Sequence, residues 1–369
     1  MNLLTFNNKL PLWFIILIVI LIKVFGIFFA LSVFSKYTPL IDSTNYINEY
    51  YINTLEFRTL SVQLFAKWLK EIGGIFFAHF IFAMVSAIGF FYYYITGGRH
   101  ISLIAILFFP SSLVWGSIVG KEAIFIGFFG VVLVIWSRFC VVKLNLSEIF
   151  IVIVSLVICF LFRPHYAVGL AWLFVSAFVL SYFNKKSTFI LCLLLIVGGV
   201  LAYLMVWDEL AFRGYSSIDS EAKASRFNLF KITPNQEYIH IGFKEFKEWL
   251  PLGLIIGILG PMPMEVYQRF EFLPFFCEGL LVMVSPILIY KFLINNDLNK
   301  NLKFKRYLIW CILPAIFILM IFHAPFGLLN PGSSIRWRTN FEAIFYMAPI
   351  LLIYAFVDNA PNENCSFPS

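Results

Sequence analysis

Charge is scarce in this sequence. Asp, Glu, Lys and Arg make up 13% of the residues, against about a quarter in soluble domains, too few to cover a water-facing surface. Alternating apolar and polar stretches are also missing. The apolar runs are continuous, which excludes a membrane barrel, whose strands alternate lipid-facing and lumen-facing residues. The six cysteines, Cys140, Cys159, Cys192, Cys277, Cys311 and Cys365, form no C-x-x-C pair and no zinc-like spacing. They give no reason to expect a disulfide framework or a metal site. No small-x-small cleavage site accompanies the first apolar run, Pro11 to Phe34. That run is also too long for a signal-peptide core and reads as the first membrane helix. No repeat, low-complexity tract or domain boundary is visible, so residues 1–369 are expected to form a single integral membrane domain.

What is abundant is apolar length. Hydrophobic residues make up 61% of the chain and aromatic residues 19%. Many runs extend for about 16 to 24 residues, enough for a helix rising 1.5 Å per residue to cross roughly 30 Å of hydrocarbon. The expected fold class is all-α, a polytopic transmembrane helical bundle of about ten spans. The spans are predicted near 11–35, 74–95, 101–116, 121–137, 147–163, 166–183, 187–206, 272–291, 307–323 and 341–357. A shorter stretch near 249–264 ends at the turn Gly260-Pro261-Met262-Pro263. It is expected to be re-entrant or interfacial rather than spanning.

Basic residues set the expected orientation. With the N-terminus inside, Lys9, Arg99, Arg138, Lys143, Lys185, Lys186 and the loop carrying Lys300, Lys303 and Lys305 all fall on the cytoplasmic side. Both termini are then cytoplasmic. The net charge of +7 is accounted for by cytoplasmic retention and lipid phosphates, without nucleic acid. Two long outer loops are expected, about 36–73 and 207–248, the second with room for short surface helices such as Gly242 to Trp249, and loops of such length are more often functional than connecting.

Charged residues beside or within spans carry a desolvation cost and are the first functional candidates. Asp42, just beyond the first span, suits a general base or, with Ser43, Thr44 and Asn45 following, a helix cap. In the passage Pro110 to Glu122, Glu122 favours the dipole of the helix it opens, whereas Lys121 opposes it. A partner, an anionic ligand or snorkelling to the headgroups would account for Lys121. Arg163, stopped by Pro164, presents a guanidinium fork suited to phosphate or to interface anchoring. Arg336 and Arg338 flank Trp337 and, in an extended segment, would both reach one anion. Lys23 and Glu278, inside spans, are expected to pair with other buried charges or to serve structure. Helix parity places Asp42, Lys121, Glu122, Arg163, His165, Arg336 and Arg338 at one outer rim. Cations and carboxylates at that depth suit a lipid-linked sugar, with its phosphates among the headgroups and its sugar in water.

Several passages carry a family resemblance. They are Asp42 with Tyr46, Pro110 to Glu122 with Trp115 inside, Arg163-Pro164, Gly260 to Pro263, and Arg336-x-Arg338 before the last span. In this order the chain resembles GT-C-type polytopic bacterial glycosyltransferases and the O-antigen or capsule repeat-unit polymerases. The resemblance implies a GT-C-like bundle in the bacterial inner membrane. It further implies transfer of a sugar or oligosaccharide from a polyprenyl phosphate or pyrophosphate carrier in surface-polysaccharide biosynthesis, alongside other polysaccharide-assembly proteins. The first-loop acid role maps onto Asp42, with Glu122 as a second catalytic carboxylate. Lys121, Arg163, Arg336 and Arg338 would hold phosphate, and Tyr46, His165 and Trp115 would touch substrate. No cofactor is implied, although a divalent metal between Asp42 and Glu49 is compatible. The rival expectation is a flippase for the same lipid-linked glycan. Such a transporter favours inverted repeats and midplane charges, whereas no repeat is visible here and most of the charges cluster at one edge.

Overall fold

The chain is helical at every length scale, from one-turn 3₁₀ segments to a helix of 30 residues. The computed structural model describes residues 11–36, 40–48, 56–98, 100–183, 187–205, 207–209, 211–212, 215, 243–295, 302–328 and 331–358. Among them, seven helices are long and apolar enough to cross a membrane: Leu12–Lys36, Phe57–Ser86, Lys121–Phe139, Pro164–Tyr182, Phe270–Ile289, Leu302–Gly327 and Ser334–Phe356. Leu146–Phe162 and Ser187–Leu201 are shorter apolar helices. The described residues are all-helical in their regular structure, and the protein is a multi-pass membrane protein. In chain order we number α1 (Leu12–Phe28), α2 (Ile41–Ile47), α3 (Phe57–Ser86), α4 (Ile88–Ile95), α5 (Pro110–Trp115), α6 (Lys121–Phe139), α7 (Leu146–Phe162) and α8 (Pro164–Tyr182). There follow α9 (Ser187–Met205), α10 (Phe243–Leu259), α11 (Pro263–Gln268), α12 (Leu273–Asn295), α13 (Leu302–Tyr307), α14 (Leu313–Gly327), α15 (Pro331–Arg338) and α16 (Ala343–Asp358).

Three predicted features come out differently. The span expected at 101–116 is no spanning helix. It is a 3₁₀ segment, Ile101–Phe108, followed by the six-residue α5. Pro110 opens α5, and the chain from Gly116 to Gly120 is buried without regular structure. Irregular backbone persists within an apolar bundle only when protein groups satisfy it. Here Lys23, fully buried in α1, donates to the Gly116 carbonyl at 3.1 Å. Ser86 donates to the same oxygen, and the Val119 N–H donates to His79 Nδ1 at 3.1 Å. Lys23 thus serves a backbone carbonyl, not a buried carboxylate.

The outer loop expected at 36–73 is the second difference, because α2 and the first half of α3 occupy much of it. Gly74, at φ 81°, breaks α3 where it would otherwise run straight. A Cβ there would meet nothing within 4 Å, so the positive φ, not packing, calls for glycine. Third, the surface helix expected near 242–249 in the 207–248 loop forms but does not stop there, running on as α10 from Phe243 to Leu259, while residues 216–242 lie outside the described residues. The expected 249–264 element forms the later part of α10, and its close partner is α14. A Cβ on Gly257 would sit 2.7 Å from the His323 ring, and one on Gly327 2.6 Å from the Gly257 Cα, so backbone meets backbone along this seam.

Contacts at helix ends sort the bundle into two rims. At one, Arg138 at the end of α6 donates to Thr96 O (3.3 Å) and pairs with Glu148 of α7 (2.8 Å). The ring of His100 stacks on Tyr354 of α16 at 3.4 Å, and Ser181 meets Tyr307 at 3.0 Å. The opposite ends of α6, α7, α8 and α16 come together at the other rim, where most of the expected site residues lie.

Candidate functional site

Four chain segments bring charge to that rim. Asp42 lies in the first turn of α2, a favourable place for an acid beside a helix N-terminus. It does not cap the helix, whose N-cap is Leu40. Lys121 and Glu122 open α6. Arg163 terminates α7 and, with Pro164 at the first helical position behind it, caps α8 with non-helical torsions (φ −145°, ψ 71°). Arg336 comes from α15.

These side chains form a continuous charge chain. Arg336 donates to Asp42, and its Nε lies 3.5 Å from the Glu122 carboxylate. Glu122 in turn accepts from Arg163. The Arg163 guanidinium lies 4.7 Å from the centre of the Trp337 ring, a cation–π contact worth about 0.5–2 kcal/mol. Exposure is graded along the chain: the Asp42 side chain is 40% exposed, Arg336 20%, and Glu122 7%. The cluster therefore opens toward Asp42 and closes toward Glu122 and Arg163.

Lys121 leaves the cluster sideways. It donates to Glu56 at 3.0 Å and to Thr59 at 2.6 Å, at the start of α3. Glu56 thus supplies the partner that a lysine opposing a helix dipole calls for. Partial burial pulls the Glu56 carboxyl upward, but hydrogen bonds from Thr59 and Lys121 and the charges of Lys121 and Arg58 outweigh it. The group is brought down to about 2.

Tyr46 is buried on α2 beneath these charges. Burial, and then the negative charges of Glu122 and Asp42, push its phenol well above the usual range, with Arg163 and Arg336 offsetting only part. It stays a neutral hydroxyl. His165 packs in an aromatic group, with ring centres 4.1 Å from Tyr166, 5.4 Å from Phe326 and 5.9 Å from Trp337. Trp115 is packed edge-on against Phe34 at 6.1 Å and shares an apolar cluster with Phe275 and Ile335. Among the described residues, Trp115 Nε1, Arg163 Nε and Trp337 Nε1 are buried donors with no protein hydrogen-bond partner, and Arg336 Nε has only its 3.5 Å approach to Glu122. Buried N–H groups without acceptors are rare, and those of Arg163 and Trp337 beside the cluster suit an oxygen-rich anion.

Arg338 stands apart, contrary to its expected place beside Arg336. The expectation required an extended segment, whereas α15 is helical and residues two apart on a helix point to different sides. Arg338 is completely buried. It donates to Ile258 O (2.7 Å), Gly260 O (2.6 Å) and Phe275 O (3.2 Å). Its guanidinium also lies 3.3 Å from Glu342 and 3.8 Å from Glu278. Ser111 bonds to both of these glutamates. Arg338 thus ties the end of α10, the start of α12 and the approach to α16 together, and it has no opening for a phosphate. Glu278, expected to pair with a buried charge, finds it here.

The sequence reading did not single out Glu56, Thr59 or Trp337 as site residues, nor Ser111 and Glu342 as partners of Arg338. The signal for Trp337 was its place between two arginines. Among the described residues no group of three His, Cys, Asp or Glu gathers as a metal site, and Glu49, named with Asp42 for a metal, lies outside the described residues. Compared with known proteins, the chain matches no family model, no curated protein sequence and no solved structure.

Proposed function

We propose that this protein is a membrane glycosyltransferase or oligosaccharide repeat-unit polymerase of surface-polysaccharide assembly, acting on a polyprenyl phosphate- or pyrophosphate-linked donor. The observation that carries this reading is Arg336 held between Asp42 and Glu122 at a membrane rim, with the more exposed carboxylate on the open side. Carrier phosphate oxygens displace Asp42 from Arg336 and accept from the guanidinium groups of Arg336 and Arg163. The same event releases Asp42 beside the sugar. An acceptor hydroxyl attacks the anomeric carbon, Asp42 takes the hydroxyl proton, and the bond from sugar to phosphate oxygen breaks with its electron pair passing to the phosphate. Cations fixed at that leaving group lower the barrier where charge develops. Glu122, nearly enclosed, positions the two arginines and is better suited to that than to proton transfer.

Ten passages of the membrane, with both termini cytoplasmic, fit the same reading. The irregular 101–120 passage counts as one of them, and α10 enters and leaves at the site rim. Supporting this, Arg138, Lys143, Lys303, Lys305 and Arg306 lie near the rim opposite the site, as cytoplasmic retention of basic residues favours. The site then faces the non-cytoplasmic side of a bacterial inner membrane.

The test is the glycan profile of a deletion strain complemented with wild type, Arg336→Gln or Asp42→Asn. Loss of long chains with single capped units remaining is the expected result for a polymerase. A truncated repeat unit identifies a single-sugar transferase. Wild-type chains from both variants would overturn the assignment, and accumulation of lipid-linked units on the cytoplasmic side would make the protein a flippase.

A further inference from the structure

Helix α3 is too long for the membrane it is taken to cross. Its 30 residues would extend roughly 45 Å at 1.5 Å per residue, against about 30 Å of hydrocarbon. Beyond Gly74, residues 75–86 continue through Ala87 into α4, which ends at Ile95. That later portion alone is long enough to traverse the bilayer. Residues 57–73 do not continue along that axis, because the chain bends at Gly74 and brings Phe65 to 5.5 Å from Phe82.

The exposed apolar side chains of residues 57–73 are not scattered. At 100° per residue, Phe57, Leu64, Phe65, Trp68 and Ile72 share one face of the helix, and all five are exposed. Phe65 and Trp68 stack at 6.0 Å. The opposite face, Thr59, Val62, Gln63, Ala66 and Leu69, is buried against the protein. Charged residues flank the apolar face: Arg58 on one side and Lys67 with Glu71 on the other, with Lys70 reaching the Ile47 carbonyl at 3.1 Å. A spanning segment would have to hold these charges in hydrocarbon, whereas a helix lying at the headgroups leaves them in a polar layer.

We propose that residues 57–73 lie in the plane of the bilayer, with the Phe57–Leu64–Trp68–Ile72 face set into the boundary between acyl chains and headgroups. Gly74 is the corner at which the chain turns from the membrane surface into the membrane. Two observations name lipid as the occupant of this face. The exposed apolar surface continues past the corner into Ile75 and Phe76 at the head of the crossing portion. The edges of the face are charged, Arg58 on one side and Lys67 with Glu71 on the other, which is the polar border of a helix that lies at the headgroups. The inference stands on the helix itself and does not depend on the transferase reading. It has a consequence for the site: Glu56 and Thr59, at the start of this helix, hold Lys121. The charge cluster is thereby fixed at headgroup depth, where a lipid-borne anion arrives sideways through the leaflet.

The test uses the full-length protein in nanodiscs of phosphatidylcholine with phosphatidylglycerol. Cys192, Cys277 and Cys365 are replaced by Ser, keeping the buried Cys140, Cys159 and Cys311. Single cysteines at Phe57, Leu64, Trp68, Ile72, Phe76 and Phe80 are spin-labelled, and depth is read from accessibility to oxygen and to a water-soluble nickel chelate. The expected result is one shallow depth for the first four positions, followed by increasing depth at 76 and 80. A steady gradient from 57 to 72 would make the segment a spanning helix. Full access to the chelate would place it in water, and exclusion of both reagents would mean a protein partner covers it. Any of these three overturns the proposal. A second reading avoids the cysteine background: Trp68→Phe should remove a fluorescence component quenched by lipids brominated near the headgroup, and loss of only deep-quenched emission contradicts it.

Discussion

Arg336 and Arg338 are two residues apart on one short helix, yet their surroundings have little in common. Arg336 meets carboxylates from α2 and α6, one of them half open, and its contact with the enclosed one is long at 3.5 Å. Arg338 is enclosed, with three backbone carbonyls and two glutamates around it. Both contradict the expectation that charge avoids an apolar bundle, for different reasons. A sealed cation with its partners fixed is a structural tie, whereas a cation whose most exposed partner is replaceable is equipped to bind. Residue type and sequence position do not separate these two roles; the openness of the surroundings does.

The sharpest way to break that contrast is to remove each arginine in turn. Arg338→Ala leaves Glu278 and Glu342 buried without their cation and should cost about 3–5 kcal/mol, enough to lose most folded protein. Recovery of monodisperse protein and its thermal midpoint measure this. Arg336→Ala, in the same assay, should leave folded protein near the wild-type level while abolishing long-chain glycan. If Arg338→Ala gives normal yield and Arg336→Ala does not, the assignments are reversed.

Asp42→Asn sharpens the proposed division of labour within the open cluster. Loss of a general base should lower turnover by about 10²–10⁴-fold. Removing the carboxylate that competes for Arg336 should leave binding of the lipid carrier unchanged or tighter. Unaltered turnover would exclude proton transfer by Asp42. A smaller effect is expected from Arg163→Lys. It keeps the charge but loses the planar fork that joins Glu122 and stacks on Trp337, so glycan chains should shorten while the protein remains folded.

The smallest effect concerns Glu56. Its carboxyl is held at about 2 in the folded protein against an ordinary 4.5, so its contribution to stability is present above about pH 4.5 and is lost as the pH falls toward 2. Glu56→Gln should therefore lower the thermal midpoint slightly at neutral pH, with the difference from wild type closing between about pH 4.5 and 2. A difference that persists at pH 2 would assign the effect to packing rather than to charge.

Hydropathy makes the membrane helices legible because hydrocarbon demands apolar length, and α1, α6, α8 and α16 follow directly from it. It reads apolarity and not backbone, which is why 101–116 looked like a span. Pro110 and Gly116 punctuate that run, and its irregular backbone is sustained by Lys23, Ser86 and His79 from elsewhere in the chain. The first half of α3 was hidden for the opposite reason. Arg58, Lys67, Lys70 and Glu71 depress its hydropathy although its apolar residues keep a helical period. Asp42, Glu122, Arg163 and Arg336 were recognisable as a set because each stands at the end of an apolar run. The separation of Arg338 from them depends on whether residues 331–338 are helical or extended, and eight residues between two longer helices do not decide that from sequence.

The central claim is that the first-loop aspartate and the late arginine share one site. Its most direct measurement is thiol cross-linking in native membranes between cysteines placed at positions 42 and 336, with positions 42 and 143 as the distant pair. The account predicts rapid cross-linking of 42 with 336 by a short bifunctional reagent and none of 42 with 143. Absence of the first cross-link, with both thiols reactive toward a small permeant maleimide, would contradict it.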